Sequence, residues 1–323
     1  MSIARIIEDR KKTRANKPPM SLRKREAIEF YALISPFIIM FIGIRLIPFI
    51  WGIILSFTNF TGFNYANLRF IGFDNYFRVF NDNDAMYSLL RTLQISLIVV
   101  PMGLVIGFLL SILLNNPIRG IGIFRTIYYL PSIVPAVAVG LMWKAIYNQN
   151  GGLFNGILRA LGSEGIPWLG YDWVTRSLII MMAWGAGGGI LIYLEGLKGI
   201  PRELYESASI DGARPIRQFF YITIPMMTPI IFYNLIMGII GALQLFAQPV
   251  LLTTGSSGLL NIPLRPNYTY QVHVYQQIFA NQRFGYGLAM IWVIFIIILL
   301  LTFSVFRSSQ FWVYYEVQQD RGE

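Results

Sequence analysis

Cysteine is absent from the 323 residues, and histidine occurs once. That removes disulfides, thiolate chemistry and sulfur-ligated zinc, and it leaves no His-rich metal site. Charge is scarce: 13% of residues are Asp, Glu, Lys or Arg, against about a quarter in a soluble domain. No G-x-x-x-x-G-K-[ST] occurs, so no P-loop can hold ATP phosphates. H-E-x-x-H and G-x-S-x-G are missing too, and no other catalytic constellation is recognisable. The apolar runs hold few carboxylates, so a proton relay of the kind secondary transporters use lacks candidates.

What is abundant is apolar sequence. Hydrophobic residues make up 55% of the chain, and the mean hydropathy is +0.55. Lipid is the expected solvent for much of it. A membrane helix needs about 20 mostly apolar residues. Six runs qualify: 33–57, 92–114, 121–146, 176–196, 226–252 and 286–306. The expectation is an all-α membrane protein of six transmembrane helices. The first run is too long and starts too late for a cleaved signal peptide, and no small-x-small site follows it.

Six spans put both termini on one side. Nine Lys and Arg lie in the first 25 residues. With the N-terminus inside, the inner segments and adjoining helix ends hold 17 Lys and Arg, and the outer ones hold eight. This positive-inside bias predicts N-in and C-in. It also accounts for the net charge of +10 as an orientation signal rather than a nucleic-acid surface. The expected organisation is a basic cytoplasmic tail at 1–32, a six-span domain at 33–306 and a cytoplasmic tail at 307–323. A cytoplasmic loop at 197–225 interrupts the spans. No internal repeat and no second domain is evident. The outer loops, rich in aromatics and turn formers, read as ordered surface, and His273 in one of them is expected to be exposed.

The loop has its own construction. Pro201 suits a first helical position, where a missing N–H costs nothing. Glu203 and Glu206 follow near the N-terminus, where negative charge offsets the macrodipole. Ser207, Ala208 and Ser209 keep one face thin. Gly212 can take the left-handed conformation that ends a helix, and Pro215 suits the start of a second one. The product is a bent knob with a small-residue face.

The stretch Glu206-Ser207-Ala208, Gly212 and Ile222-Thr223-Ile224-Pro225 resembles the coupling loop of binding-protein-dependent ABC importer permeases. That family shows Glu-Ala-Ala, Gly and Ile-x-Leu-Pro at the same spacing. Ser207 stands for one Ala, and Ile224 stands for Leu. FIGIRLIPFIWGIILSFTNF, FRTIYYLPSIVP and ELYESASIDGA are similar to the carbohydrate-uptake branch, the maltose-type and glycerol-phosphate-type permeases. The basic tail and the last dozen residues match poorly.

The resemblance implies a type I importer fold in a bacterial or archaeal plasma membrane. It implies a loop that docks in a cleft on an ATPase subunit through Glu206, Ala208, Asp211 and Gly212, with Arg214 nearby. The implied partners are a second, homologous permease forming a heterodimer, two ATP-binding subunits and an extracytoplasmic solute-binding protein. ATP and Mg would be bound by the ATPase subunits, with no cofactor in this chain. The implied substrate path includes Gly185, Gly188 and Gly189 before the loop, and Gly238, Gly241, Ala242, Gln244 and Gln248 after it. The alternative reading is a stand-alone secondary transporter or channel not driven by ATP.

Several features have two readings on residues alone. Arg45 sits mid-run, where an ionised Arg costs roughly 2.5–3.5 kcal/mol. It either lines the path or snorkels and pairs structurally. Pro36 and Pro48 interrupt the same run, and Pro131 and Pro135 interrupt the third. The run Trp184-Gly185-Ala186-Gly187-Gly188-Gly189 either lets helices pack closely or leaves space for a solute. Gln244 and Gln248 are four apart, hence expected on one helix face. They either recognise hydroxyls or bond neighbouring helices. Neutral amides and many glycines favour an oligosaccharide or other bulky saccharide over a small ion. Glu195 and Lys198 border the inner end of the fourth run.

Overall fold

A computed structural model describes residues 21–63, 65–116, 118–252 and 262–314. Most of the two tails, and the outer-loop stretch 253–261, lie outside the described residues. Among those described, fifteen α-helices occur, and the only pairing of extended chain is one bridge, Thr58 to Phe70. The chain divides into two units, Met1–Ile54 and Leu55–Glu323.

The described residues of the first unit lie in one long apolar helix. α1 (Leu22–Met40) carries Pro36 and runs through a π-helical stretch, Phe41–Leu46, into α2 (Ile47–Ser56). The π stretch holds Arg45. Pro36 and Pro48 therefore sit within a continuous span, Leu22–Ser56. A widened turn next to a proline relieves the clash of its ring with the preceding carbonyls.

The second unit is built around α4 (Asn83–Asn115). Its 33 residues reach about 50 Å at 1.5 Å per residue. Asp82 starts it by accepting from the N–H groups of Asp84 and Ala85 at 2.9 and 3.2 Å, which satisfies two otherwise unpaired donors. α3 (Asp74–Asn81) precedes it. The third run is not one straight helix. α5 (Ile121–Ile133) and α6 (Ala136–Ile146) meet at 102°. Pro131 removes an N–H from the last turn of α5, and Pro135 caps α6. Two prolines four apart give a broken element rather than a kinked one.

After α7 (Leu153–Ala160), α8 (Val174–Trp184) passes through a 3₁₀ stretch, Gly185–Gly189, into α9 (Ile190–Gly199). α10 (Arg202–Ile210) and α11 (Pro215–Gln218) form the loop. α11 continues through a π turn into α12 (Ile224–Leu243), so one helix runs from Pro215 to Leu243. α13 (Ala247–Leu251), α14 (Tyr270–Tyr275) and α15 (Phe284–Ser309) complete the chain. Among the described residues, five helices are long and apolar enough to cross a membrane, six if the bent pair counts as one span. Large apolar residues such as Phe295, Leu299, Leu300 and Phe303 stand exposed along α15, a surface suited to lipid or partner helices rather than water.

α4 packs against α8, α9 and α12, with Phe108, Tyr193, Leu197 and Met227 in the core at the loop end. At the opposite end, His273 is 2% exposed, which corrects the expectation of a surface residue. Its Nδ1 lies 2.7 Å from the Tyr268 hydroxyl, and its Nε2 lies 3.6 Å from Asp82 Oδ2. Tyr286 donates to the same Asp82 oxygen at 2.7 Å. One periodic turn from Thr269 carries the imidazole inward, and a lone His in a loop gives no signal of that.

Candidate functional site

Two places in the second unit carry the expected residues. The first is the loop. Pro201 is the N-cap of α10, and Arg202 is its first residue, one position later than Pro201's chemistry suggests. Glu203 lies in the first turn. The C-terminus closes as a Schellman turn: Ala213 N–H donates to the Ala208 carbonyl at 2.8 Å, and Gly212 N–H donates to that of Ser209 at 3.0 Å. Such a turn needs a left-handed residue after the cap, and Gly212 has φ +78°. Pro215 is the first residue of α11.

The two arms are tied together. Gln218 Nε2 reaches Ser209 Oγ at 2.8 Å and the carbonyls of Tyr205 and Ala213 at 3.3 Å. The Tyr205 and Thr223 hydroxyls lie 2.9 Å apart. Ser207 and Ser209 bond back to the carbonyls of Glu203 and Tyr205, so neither presents a free hydroxyl donor. Glu206, Asp211, Gly212 and Arg214 are exposed and Ala208 is half-buried. Glu206, Asp211 and Arg214 make no ion pair with another described residue. Ile210 is 87% exposed and Ile216 75%. A cleft of about 310 Å³ lies between the arms, with Ala208, Asp211 and Arg217 on its wall. The result is a rigid projection of unpaired charges and bare apolar side chains. Gln218, Tyr205, Ile210 and Ile216 were not singled out from sequence; the Gln218 bonds are long-range pairings that only the bend creates. Nearby, Lys198 and Glu195 pair with each other at 2.7 Å.

The second place is a cavity of about 290 Å³ between α4, the α8–α9 junction and α12. Gly185, Gly189, Gly238, Gly241 and Ala242 line it. Gly188 does not; it faces Ser132. Gly187 serves packing, because a Cβ there would stand 2.1 Å from the Tyr128 carbonyl oxygen. The glycine run therefore has both uses, divided by position. Gln244 and Gln248 do not share a helix face. α12 ends at Leu243, Gln244 is its C-cap, and Gln248 belongs to α13. Gln244 is exposed and lines neither cavity. Gln248 lines a neighbouring cavity of about 220 Å³ beside Pro131 and Trp184, which shares Met182 and Gly185 with the first. The chain leaves the helix at Gln244 and re-enters one at Ala247, so the spacing of four does not place the two amides on one face. Tyr193 and Asn234, also on the larger cavity's wall, were not singled out from sequence. Among the described residues no group of His, Asp and Glu could hold a metal ion.

The second unit thus carries a helical turn between two spans and a glycine-lined cavity. Residues 99–312 match the family described as the binding-protein-dependent transport system inner membrane component. The chain belongs to that family. It is 37% identical to the "Probable ABC transporter permease protein YesP" of Bacillus subtilis, over 95% of this chain and 98% of that one. It is 30% identical to the "Lactose transport system permease protein LacF" of Rhizobium radiobacter, over 90% and 97%. As a member of that family, the chain is a multi-pass membrane component of a transport system. The fold also matches a crystal structure of a bacterial ABC transporter involved in importing the acidic polysaccharide alginate, with a TM-score of 0.77 and 23% identity over 89% of this chain and 96% of that one.

Proposed function

We propose that this permease forms half of the membrane path of an ATP-driven saccharide importer. The cargo is an oligosaccharide or other bulky sugar. The observation that carries the reading is the Schellman turn at Gly212, which holds exposed Asp211, Arg214, Ile210 and Ile216 on one stiff projection between two spans. A subunit with no P-loop needs such a handle, because its energy source must grip it from outside. Glu206, Ala208, Asp211, Gly212 and Arg214 are the gripped residues. Two ATP-binding subunits hold the ATP and Mg. A second homologous permease completes the path, and a solute-binding protein delivers cargo at the far side. The mechanism is alternating access, with ATPase closure moving the projection and reopening the path.

The charge bias supports N-in and C-in, with the 197–225 loop and the tails at 1–32 and 307–323 in the cytoplasm of a bacterial or archaeal cell. The saccharide class rests on the sugar-branch motifs and on the lactose permease relative. Gly185, Gly189, Gly238, Gly241 and Ala242 form the path, and Gly188, Gln244 and Gln248 flank it. The test uses the native lack of cysteine. A single Asp211→Cys carrying a short thiol cross-linker should capture the ATPase subunit in the assembled importer. Absence of that adduct in every nucleotide state would contradict the docking role.

A further inference from the structure

The cavity between α4, α9 and α12 extends past the glycines toward the loop. Tyr193 lies four residues beyond Gly189, and Asn234 lies four residues before Gly238, so both sit one helical turn nearer the loop than those glycines. Tyr193 is 1% exposed, and its hydroxyl has no hydrogen-bond partner. Few buried polar atoms are left so in folded proteins, and each asks for an explanation. Asn234 Nδ2 donates to the Ile230 carbonyl at 2.9 Å. Its Oδ1 points at Gly189, where a Cβ would stand 2.9 Å from it. Tyr193 Cε2 would be 3.5 Å from that same Cβ, and 3.2 Å from one built at Gly107. Two glycines therefore make room for these two side chains, which converge on Gly189.

We propose that the Tyr193 hydroxyl and the Asn234 amide form a hydroxyl-binding rung on the inner half of the cargo path. A donor and an acceptor on two side chains that both approach Gly189, with no net charge, match the neutral hydroxyls of a saccharide. Apolar Val99, Val100 and Met237 form other parts of the wall and suit the sugar's C–H faces. The rung holds cargo in transit, one turn beyond the glycines, and gives a passing sugar a partner after it leaves them. This inference rests on the importer reading for its cargo class.

The test uses the complete importer in proteoliposomes with lactose, maltotriose and cellobiose as probes; the sugar that wild type takes up fastest is carried forward. Tyr193→Phe and Asn234→Leu should each lower ATP-driven uptake at saturating sugar about three- to tenfold, the worth of one neutral hydrogen bond. ATP hydrolysis stimulated by the binding protein should stay within about twofold, which a merely structural role would not preserve. In parallel, Asn234→Cys should be labelled by a small methanethiosulfonate reagent, and the probe sugar should slow that labelling. Unchanged uptake in both variants, or joint loss of uptake and hydrolysis, overturns the rung. So does a cysteine at 234 that is never labelled, or is labelled at a rate the sugar does not alter. If wild type takes up the probe sugar equally without ATP, the importer reading fails, and protection of the cysteine by that sugar still reads the rung.

Discussion

Gln218 Nε2 stands 2.8 Å from Ser209 Oγ, so an amide at the start of the long helix ties down the end of the short one before it. It also reaches the carbonyls of Tyr205 and Ala213. Gln218→Leu keeps most of the volume and removes every one of these bonds. The amide has two N–H groups to share among the three acceptors, and a bond is worth about 0.5–1.5 kcal/mol, so the local loss should reach roughly 1–3 kcal/mol. Hydrogen exchange across residues 202–223 should speed up, and sugar moved per ATP should fall while the chain still inserts. Unchanged exchange would show that the arms do not depend on Gln218.

Gly212 is constrained by its backbone rather than by its neighbours. Its φ is +78°, and a Cβ there would meet nothing within 4 Å. Gly212→Val should cost about 1–2 kcal/mol of conformational strain and open the turn. Gly212→Asn should cost less, because Asn tolerates the left-handed region. Coupling between ATP hydrolysis and uptake should be lost in Val and largely kept in Asn. Normal ATP-driven uptake in the Val variant would remove the loop's assigned role.

Gly187 and Gly241 make opposite predictions. A methyl at Gly187 would collide with the Tyr128 carbonyl, whereas one at Gly241 meets nothing within 4 Å. Gly187→Ala should lower the thermal midpoint in detergent, with a cost of about 1–3 kcal/mol. Gly241→Ala should leave the midpoint unchanged and slow uptake, because its methyl enters the cavity.

Acid should weaken the end opposite the loop. Burial lowers His273 below its ordinary 6.5, against the pull of Asp82 and Asp84. Burial would raise Asp82, but the Tyr286 hydroxyl and the N–H groups of Ala85 and Asp84 hold it below 3.8. The unfolded chain therefore takes up a proton on His273 before the folded chain does. Stability from His273 is present above pH 6.5 and is lost as pH falls through that value toward the folded pKa. Asp82's share is lost only lower, as pH falls below 3.8 through its folded pKa. The thermal midpoint should drop between about pH 7 and pH 5, and His273→Gln should flatten that drop. An equal slope in both proteins would contradict the assignment.

The membrane class was legible because apolar runs and Lys/Arg asymmetry are additive signals read from composition. The loop was legible because caps are local: Gly212 and Pro215 do what their own backbones allow. What sequence hid was relational. Two prolines announced a break in the third run but not an angle of 102°. Gln244 and Gln248 share a spacing but not a helix, because one helix ends at Leu243 and the next begins at Ala247. The burial of His273 is hidden because nothing in its neighbours shows that Asp82, far away in the chain, meets it. The cavity glycines could be named, but Tyr193 and Asn234 could not, since their meaning lies in the space that Gly189 leaves.

The central claim is that this permease carries cargo only when an ATPase grips its loop. The direct measurement is sugar uptake into proteoliposomes, with and without ATP-binding subunits and ATP, in the presence of the partner permease and the binding protein. The account predicts uptake only when all are present, and loss of that uptake in Gly212→Val. Uptake by this chain alone down an ion or sugar gradient, indifferent to ATP, would contradict it.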